Sequence, residues 1–495
     1  MDKIKDIIEK QKENNKIAIK YKESSITYKE LYEKAISNIS IMNEYKINRN
    51  IGIFISNSIS YAVAYFSINL NDKVIIPIED TVREEGLASI VEYCELSMII
   101  CNDESEAKLI ELLHKYEEHR INVYNVDSQI VKLINEEQLY IEEGKDDESD
   151  VVIMLHTSGT TSDPKRVMLT NKSLITNIKS NIESLGLREN DKCLIVLPMF
   201  FGYCNSSQFL SHLYLGASLV IYDSTFLPRK FLDLIDSEKC TNTTCVPSML
   251  HMVIKGCERE KYDLSSLRYL CFGGGRMPLE LLEKILSFFN YTGVVQTYGQ
   301  TEASPRVTCL MPEDSFRKIG SVGKAIPNVE VNIVDENGNS ISNGEIGEIV
   351  IKGDNVMKGY YKKNDITDST IVNGWLHTGD LGKMDEEGYL YIVGRIKNVI
   401  ISGGLNIYPE EIEEVLLRIP EVKEAVVFPV KHNILGEVPS AKVVLFENTQ
   451  CTVTAIIEHC RKSLTSNKVP SKVEICDAFE KTYTGKIRRI FEEEK

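Results

Sequence analysis

The stretch HTSGTTSDPKRV, residues 156–167, packs Thr157, Ser158, Gly159, Thr160 and Thr161 into five consecutive positions and ends on two cations, Lys165 and Arg166. The apolar run Val151 to Leu155 before it reads as a buried strand. Behind it, Leu174, Ile178, Ile182 and Leu185 fall on one helical face, with Asn171 as the predicted cap and Gly186 as the stop. A loop of small hydroxylated residues between strand and helix offers backbone N–H groups and hydroxyls to phosphate oxygens, and Lys165 adds a full charge. Gly159 and Lys165 have the separation of a Walker loop. Against that reading, Pro164 stands where its second glycine belongs and Arg166 replaces its magnesium-binding hydroxyl. Taken alone, the stretch also fits a polar surface turn.

Composition narrows the classes. A chain of 495 residues is long for one core, so two to four domains are expected. The net charge of −16, without a block of Lys and Arg, argues against a nucleic-acid or anionic-membrane surface. The 12 cysteines are scattered without a CxxC pair, which reads as thiols in a reducing compartment. The first residues, MDKIKDIIEKQKENNK, are charged throughout and lack the apolar core of a secretory signal. Apolar runs such as VVIML and YAVAYFSI fall short of the ~20 residues of a membrane helix. The expectation is a cytoplasmic protein without membrane insertion.

Outward from the loop, short β-branched runs alternate with helical patterns: NIGIFIS before SISYAVAYFSINL, then KCLIVLP, ASLVIYD and LRYLCFG. This is the texture of an α/β fold with one or two doubly wound subdomains. GNSISNGEIGEIVIKG reads as β-rich, with turn glycines at Gly338, Gly344 and Gly347. The texture changes near Gly394 to Lys397. Beyond it Ile412, Val415, Leu416 and Ile419 share a helical face, opening a compact α+β module. The predicted organisation is a large N-terminal α/β domain, residues 1–394, and a small C-terminal domain, residues 395–495. The acidic run Glu142 to Asp150 reads as a solvated connector.

TSGTTSDPKRV resembles the phosphate loop of the adenylate-forming superfamily, which includes acyl- and aryl-CoA synthetases, adenylation domains and firefly luciferase. Further segments match in that family's order: TYKEL (27–31), GGGRMPLELL (273–282), TYGQTEAS (297–304), GEIVIKG around Glu348, WLHTGDLG (375–382), GRIKNVIISGGLNIYPEEIE (394–413) and KTYTGKIRR (481–489). Together they cover nearly the whole chain. The resemblance implies that a carboxylate attacks the α-phosphate of ATP and expels pyrophosphate, a meeting of two anions that needs cations and N–H dipoles. It assigns Ser158, Thr160, Thr161 and Lys165, with the neighbouring Thr157 and Gly159, to the departing phosphates. Thr301 falls to the α-phosphate and Glu302 to Mg²⁺. Asp380 becomes the ribose ligand, supported by Arg395. Tyr298, Gly299, Gly274 and Gly275 enclose adenine, the ring stacking and the glycines letting backbone approach. Lys486 is the cation that enters the site during adenylation.

The same resemblance implies that the small domain is mobile, rotating about a hinge at Lys397 to withdraw Lys486 and present Ser402, Gly403 and Gly404 to a pantetheine arm. Ser162 and Arg166 depart from the family pattern, replacing loop glycines. In the acyl pocket, Phe201 and Gly202 occupy places where amino-acid adenylating domains carry Phe and Asp, so no carboxylate awaits an α-ammonium. Phe200, Phe201, Tyr203 and Phe272 are the expected lining for an aryl or modest acyl acid. The leading expectation is a ligase that joins a small carboxylic acid to coenzyme A using ATP and Mg²⁺. Delivery to a carrier-protein phosphopantetheine or an amine is the nearest alternative, and a non-catalytic nucleotide-binding protein of the same fold is a further one.

Overall fold

The computed structural model describes residues 1–114, 121–134, 150–156, 165–222, 225–275, 277–290, 292–447, 449–480 and 487. Among them, two large sheets dominate. One is eight-stranded, with a parallel centre in the order Val151–His156, Val74–Pro77, Asn50–Ile53, Met98–Cys101 and Ile121–Asn125. The other is nine-stranded, and its parallel centre runs Gly293–Gly299, Tyr269–Phe272, Asn242–Cys245, Lys192–Ile195, Ser218–Ile221 and Ile17–Tyr21. The runs NIGIFIS, KCLIVLP, ASLVIYD and LRYLCFG all supply central strands, as their continuous apolar character requires of sheets covered on both faces. One core joins both sheets through Ile53, Tyr65, Ile153, Leu174, Phe209 and Val295.

The opening stretch corrects the expectation built on it. Arg166–Thr170 is a strand, paired antiparallel to Val151–His156 in the register His156 to Arg166 and Leu155 to Val167. The loop therefore joins two strands of a hairpin, and the helix Asn171–Leu185 begins a whole strand later. Five buried residues, Arg166 to Thr170, hold that strand in the sheet. Its last residue, Thr170, still extended, becomes the helix cap in place of Asn171. The Thr170 side chain accepts from the Ser173 N–H at 3.0 Å, and the Ser173 hydroxyl accepts from the Thr170 N–H at 3.0 Å. Gly186 ends the helix at φ 54°, as expected. Arg166 is not a loop residue: it is buried, and its guanidinium donates to the Pro77 carbonyl at 3.3 Å.

A third, antiparallel sheet contains Val329–Val334, Gly347–Gly353 and Trp375–Met384. Gly338 and Gly344 sit in turns at φ 81° and 89°. Gly347 instead opens a strand, where a Cβ would lie 2.3 Å from the Val334 carbonyl. The last sheet, with strands Ile400–Ser402, Leu405–Ile407, Val422–His432, Gly436–Leu445 and Val473–Cys476, has its own core. Ile412, Val415 and Leu416 of the helix Pro409–Leu417, with Ile419 just past its end, are buried in that core. All 12 cysteines are free thiols and none is fully exposed. Among the described residues no helix is long and apolar enough to cross a membrane.

Candidate active site

The strand Trp375–Met384 brings Asp380 to Tyr298 on the nine-stranded sheet. Asp380 is buried, yet both of its oxygens are engaged: the Tyr298 hydroxyl donates to Oδ2 at 2.8 Å, and Arg395 Nε lies 2.6 Å from Oδ1. Burial first, and the Asp380 charge second, hold the Tyr298 phenol well above its ordinary pKa, so it remains a donor. A carboxylate offers about four acceptor directions, so two remain for a sugar diol. The turn before Asp380 is fixed by Glu348, which accepts from the Gly379 N–H at 3.0 Å and pairs with His377 Nδ1 at 2.8 Å. Thr378 completes the clamp, donating to the Ile349 carbonyl at 2.6 Å and accepting from the Asp380 N–H at 3.0 Å.

Tyr298 belongs to the strand Gly293–Gly299, next to Tyr269–Phe272 and the glycine turn that follows it. Close approach is literal here. A Cβ on Gly273 would lie 2.5 Å from Thr297 Oγ1, one on Gly299 would lie 2.0 Å from the Pro305 carbonyl, and Gly274 has φ 75°. Thr301 and Glu302 occupy a short 3-10 turn directly after this strand. The Met357 N–H donates to the Glu302 carbonyl at 2.8 Å, tying the turn to the segment Met357 to Tyr361. Tyr360 then donates its hydroxyl to Glu302 Oε1 at 2.9 Å, and Lys165 Nζ stands 4.9 Å over the same ring. Tyr360 itself pairs with Val167, in the strand Arg166–Thr170. One tyrosine therefore links the carboxylate assigned to the metal with the lysine assigned to phosphate.

Phe200 and Phe201 pack edge to face, with centroids 4.8 Å apart. Gly202 begins the next helical turn, where a Cβ would meet Leu155 at 3.3 Å and Thr301 at 3.8 Å. The Tyr203 hydroxyl is 2.6 Å from Thr297 Oγ1, which also donates to the Phe272 carbonyl at 3.1 Å. The Phe272 ring is buried in a second core with Phe231, Leu250 and Met277. Beneath Tyr203 runs a polar layer in which Ser206 donates to the Ser304 carbonyl at 2.5 Å and Asn177 to the Arg306 carbonyl at 2.8 Å.

Thr157, Ser158, Gly159, Thr160 and Thr161, the replacement Ser162, and Lys486 lie outside the described residues. Lys397 falls in a short 3-10 turn, Ile396–Asn398. Ser402 is buried, whereas Gly403 and Gly404 are exposed at φ 57° and 81°, the Gly403 N–H donating to the Leu435 carbonyl at 2.8 Å. Sequence reasoning missed Tyr360, His377 and Arg306, and gave Glu348 no role; Tyr360 acts on Glu302, and His377 on Glu348, across long separations in the chain that local periodicity does not report.

The AMP-binding enzyme family model matches residues 8–361, and the AMP-binding enzyme C-terminal domain model matches residues 411–486. The 2-succinylbenzoate–CoA ligase of Bacillus cereus strain Q1 is 31% identical over 480 residues, 96% of this chain and 95% of that protein. The solved structure of o-succinylbenzoate CoA synthetase from Bacillus subtilis, in complex with the acyl-adenylate intermediate OSB-AMP, is 29% identical. It superposes with a TM-score of 0.85 and covers 98% of this chain and 96% of that one. The same synthetase in complex with ATP and magnesium ion is 28% identical, with a TM-score of 0.85 and 98% of each chain covered.

Proposed function

Because the chain belongs to the AMP-binding enzyme family, we propose that it activates a small aryl or modest acyl acid with ATP and passes the acyl group to coenzyme A. The observation that carries this reading is the constellation of Tyr298, Asp380 and Arg395 beside Glu302, Tyr360 and Lys165. A carboxylate oxygen of the acid attacks the α-phosphorus, and the bond to the bridging oxygen breaks to release pyrophosphate. The thiolate sulfur of coenzyme A then attacks the acyl carbonyl carbon, and AMP leaves with the bonding pair.

Asp380 grips the ribose while Tyr298 and the Gly274–Gly275 turn hold adenine. Thr301 meets the α-phosphate, and Lys165, with the loop from Thr157 to Thr161, offsets charge on the departing phosphates. The donor set suits Mg²⁺, which binds one or two carboxylates and fills its remaining positions with substrate phosphates and water. Glu302 meets that need with Oε2, since Oε1 is held by Tyr360. Bound there, Mg²⁺ would supply charge neutralisation at the phosphate oxygens. Residues 395–495 form the moving domain, hinged at Lys397. Its Lys486 serves the first half-reaction, and Ser402 to Gly404 line the thiol path in the second.

The test is acid-dependent release of pyrophosphate from ATP across aryl, fatty and amino acids, followed by addition of coenzyme A or a phosphopantetheinylated carrier protein. Thioester formation with coenzyme A is expected. Absence of pyrophosphate with every acid would refute the activity, and transfer to carrier protein alone would move the acceptor. Lys486→Ala should abolish most acyl-adenylate formation while ATP still binds, as read by nucleotide-dependent thermal shift.

A further inference from the structure

Arg306 is the largest fully buried side chain of the described residues, 2% exposed, and its Nε and Nη1 have no hydrogen-bond partner. A guanidinium cannot shed its proton to escape such a place. Burying it without an anion is strongly unfavourable. Among the described residues no carboxylate forms an ion pair or hydrogen bond with it. Its backbone is fixed: the N–H and carbonyl are both bound by Asn177, and it stands opposite Gly299 at the shift of register that follows Tyr298.

Of the groups around the guanidinium, Tyr203 belongs to the expected acyl pocket, and Cys271 precedes Phe272 of that pocket in the same strand. The Cys271 thiol lies within its hydrogen-bonding reach, and its charge acts on Tyr203 and Cys309. Burial keeps Cys271, Tyr203 and Cys309 protonated, so none supplies the missing negative charge. Arg306 and Thr301 sit on opposite limbs of one tight turn, in which the Gln300 N–H donates to the Pro305 carbonyl at 3.0 Å. The turn therefore holds this cation close to the residue assigned to the α-phosphate.

We propose that Arg306 determines specificity by binding a second carboxylate on the acid substrate, so that the preferred substrate is a dicarboxylic acid activated at one end and anchored at the other. This rests on the acid-activating reading above and narrows its substrate class. Carboxylate and guanidinium match in charge and in their two-pronged geometry.

The experiment measures pyrophosphate release with compact aryl and aliphatic diacids, each paired with the half-ester that has lost only the distal charge. The wild-type enzyme should prefer the diacid in kcat/KM on the order of 100-fold or more, because a site built for a charged partner rejects an analogue lacking it. Arg306→Met should bring that ratio close to one with KM for ATP unchanged, and Arg306→Lys should fall between. A wild-type ratio near one, or an Arg306→Met enzyme that loses diacid and half-ester equally, overturns the proposal while acid activation stands. If Arg306→Met fails to fold, the wild-type ratio and Arg306→Lys decide. Pyrophosphate release with no acid of either kind would remove both this proposal and the reading beneath it.

Discussion

At the scale of single residues, the site depends on side chains that hold other side chains. Tyr360 is the clearest case, donating to Glu302 and underlying Lys165. Tyr360→Phe keeps the ring and deletes one hydrogen bond to a carboxylate, an interaction of about 1.5–3 kcal/mol, so adenylation should slow roughly 10- to 100-fold. The Mg²⁺ requirement should rise with it while the thermal midpoint stays close to wild type, which steady-state kinetics and a melting curve would check. His156 affects stability. Burial, and then the Arg166 charge, lowers its pKa from 6.5 to about 4. The unfolded chain binds a proton as pH falls through 6.5, whereas the folded chain resists until about 4. Stability therefore drops across that window on acidification and recovers as pH rises. Urea midpoints followed through the same window should decline less steeply in His156→Gln.

At the scale of elements, the hairpin and its helix set the loop in place. Thr170 and Ser173 cap each other's N–H groups, so Thr170→Ala should cost about 1 kcal/mol in chemical denaturation. The strand Gly293–Gly299 ends where backbone passes backbone. A methyl group on Gly299 would lie 2.0 Å from the Pro305 carbonyl, a distance no rotamer can relieve. Gly299→Ala should abolish ATP binding, read by equilibrium titration, even if the protein folds, because Thr301 and Glu302 follow that turn directly. A retained ATP affinity would show that the turn can relax.

At the scale of the whole molecule, the C-terminal sheet touches the large body through a specific contact. The Phe446 ring stacks on His251 at 6.0 Å and 17°, with Lys255 Nζ 3.1 Å from its centroid. Gly403 and Gly404 face solvent in the same arrangement. Phe446→Ala should loosen this pose, slowing adenylation roughly 2- to 10-fold, the range of an exposed to half-buried cation–π contact. Thioester formation from preformed acyl-adenylate should not slow, as single-turnover measurements of the two half-reactions would reveal.

The alternation of apolar strands with helical patterns, the change of texture near residue 394 and the ordered motifs all lie in local chain chemistry, and each was legible without coordinates. Helical and strand periodicities report which face of a segment is apolar, so Ile412, Val415 and Leu416 could be placed in a core before their neighbours were known. Periodicity does not report partners. Only sheet closure could pair the strands on either side of residues 157–164, because pairing of Arg166–Thr170 with Val151–His156 is decided by burial on both faces. Only closure could bring Tyr298 to Asp380 across 82 residues and Tyr360 to Glu302 across 58. It also sealed Arg306, an exposed residue by composition, inside the protein without a counter-charge among the described residues, since burial is a property of the packed whole and not of the segment.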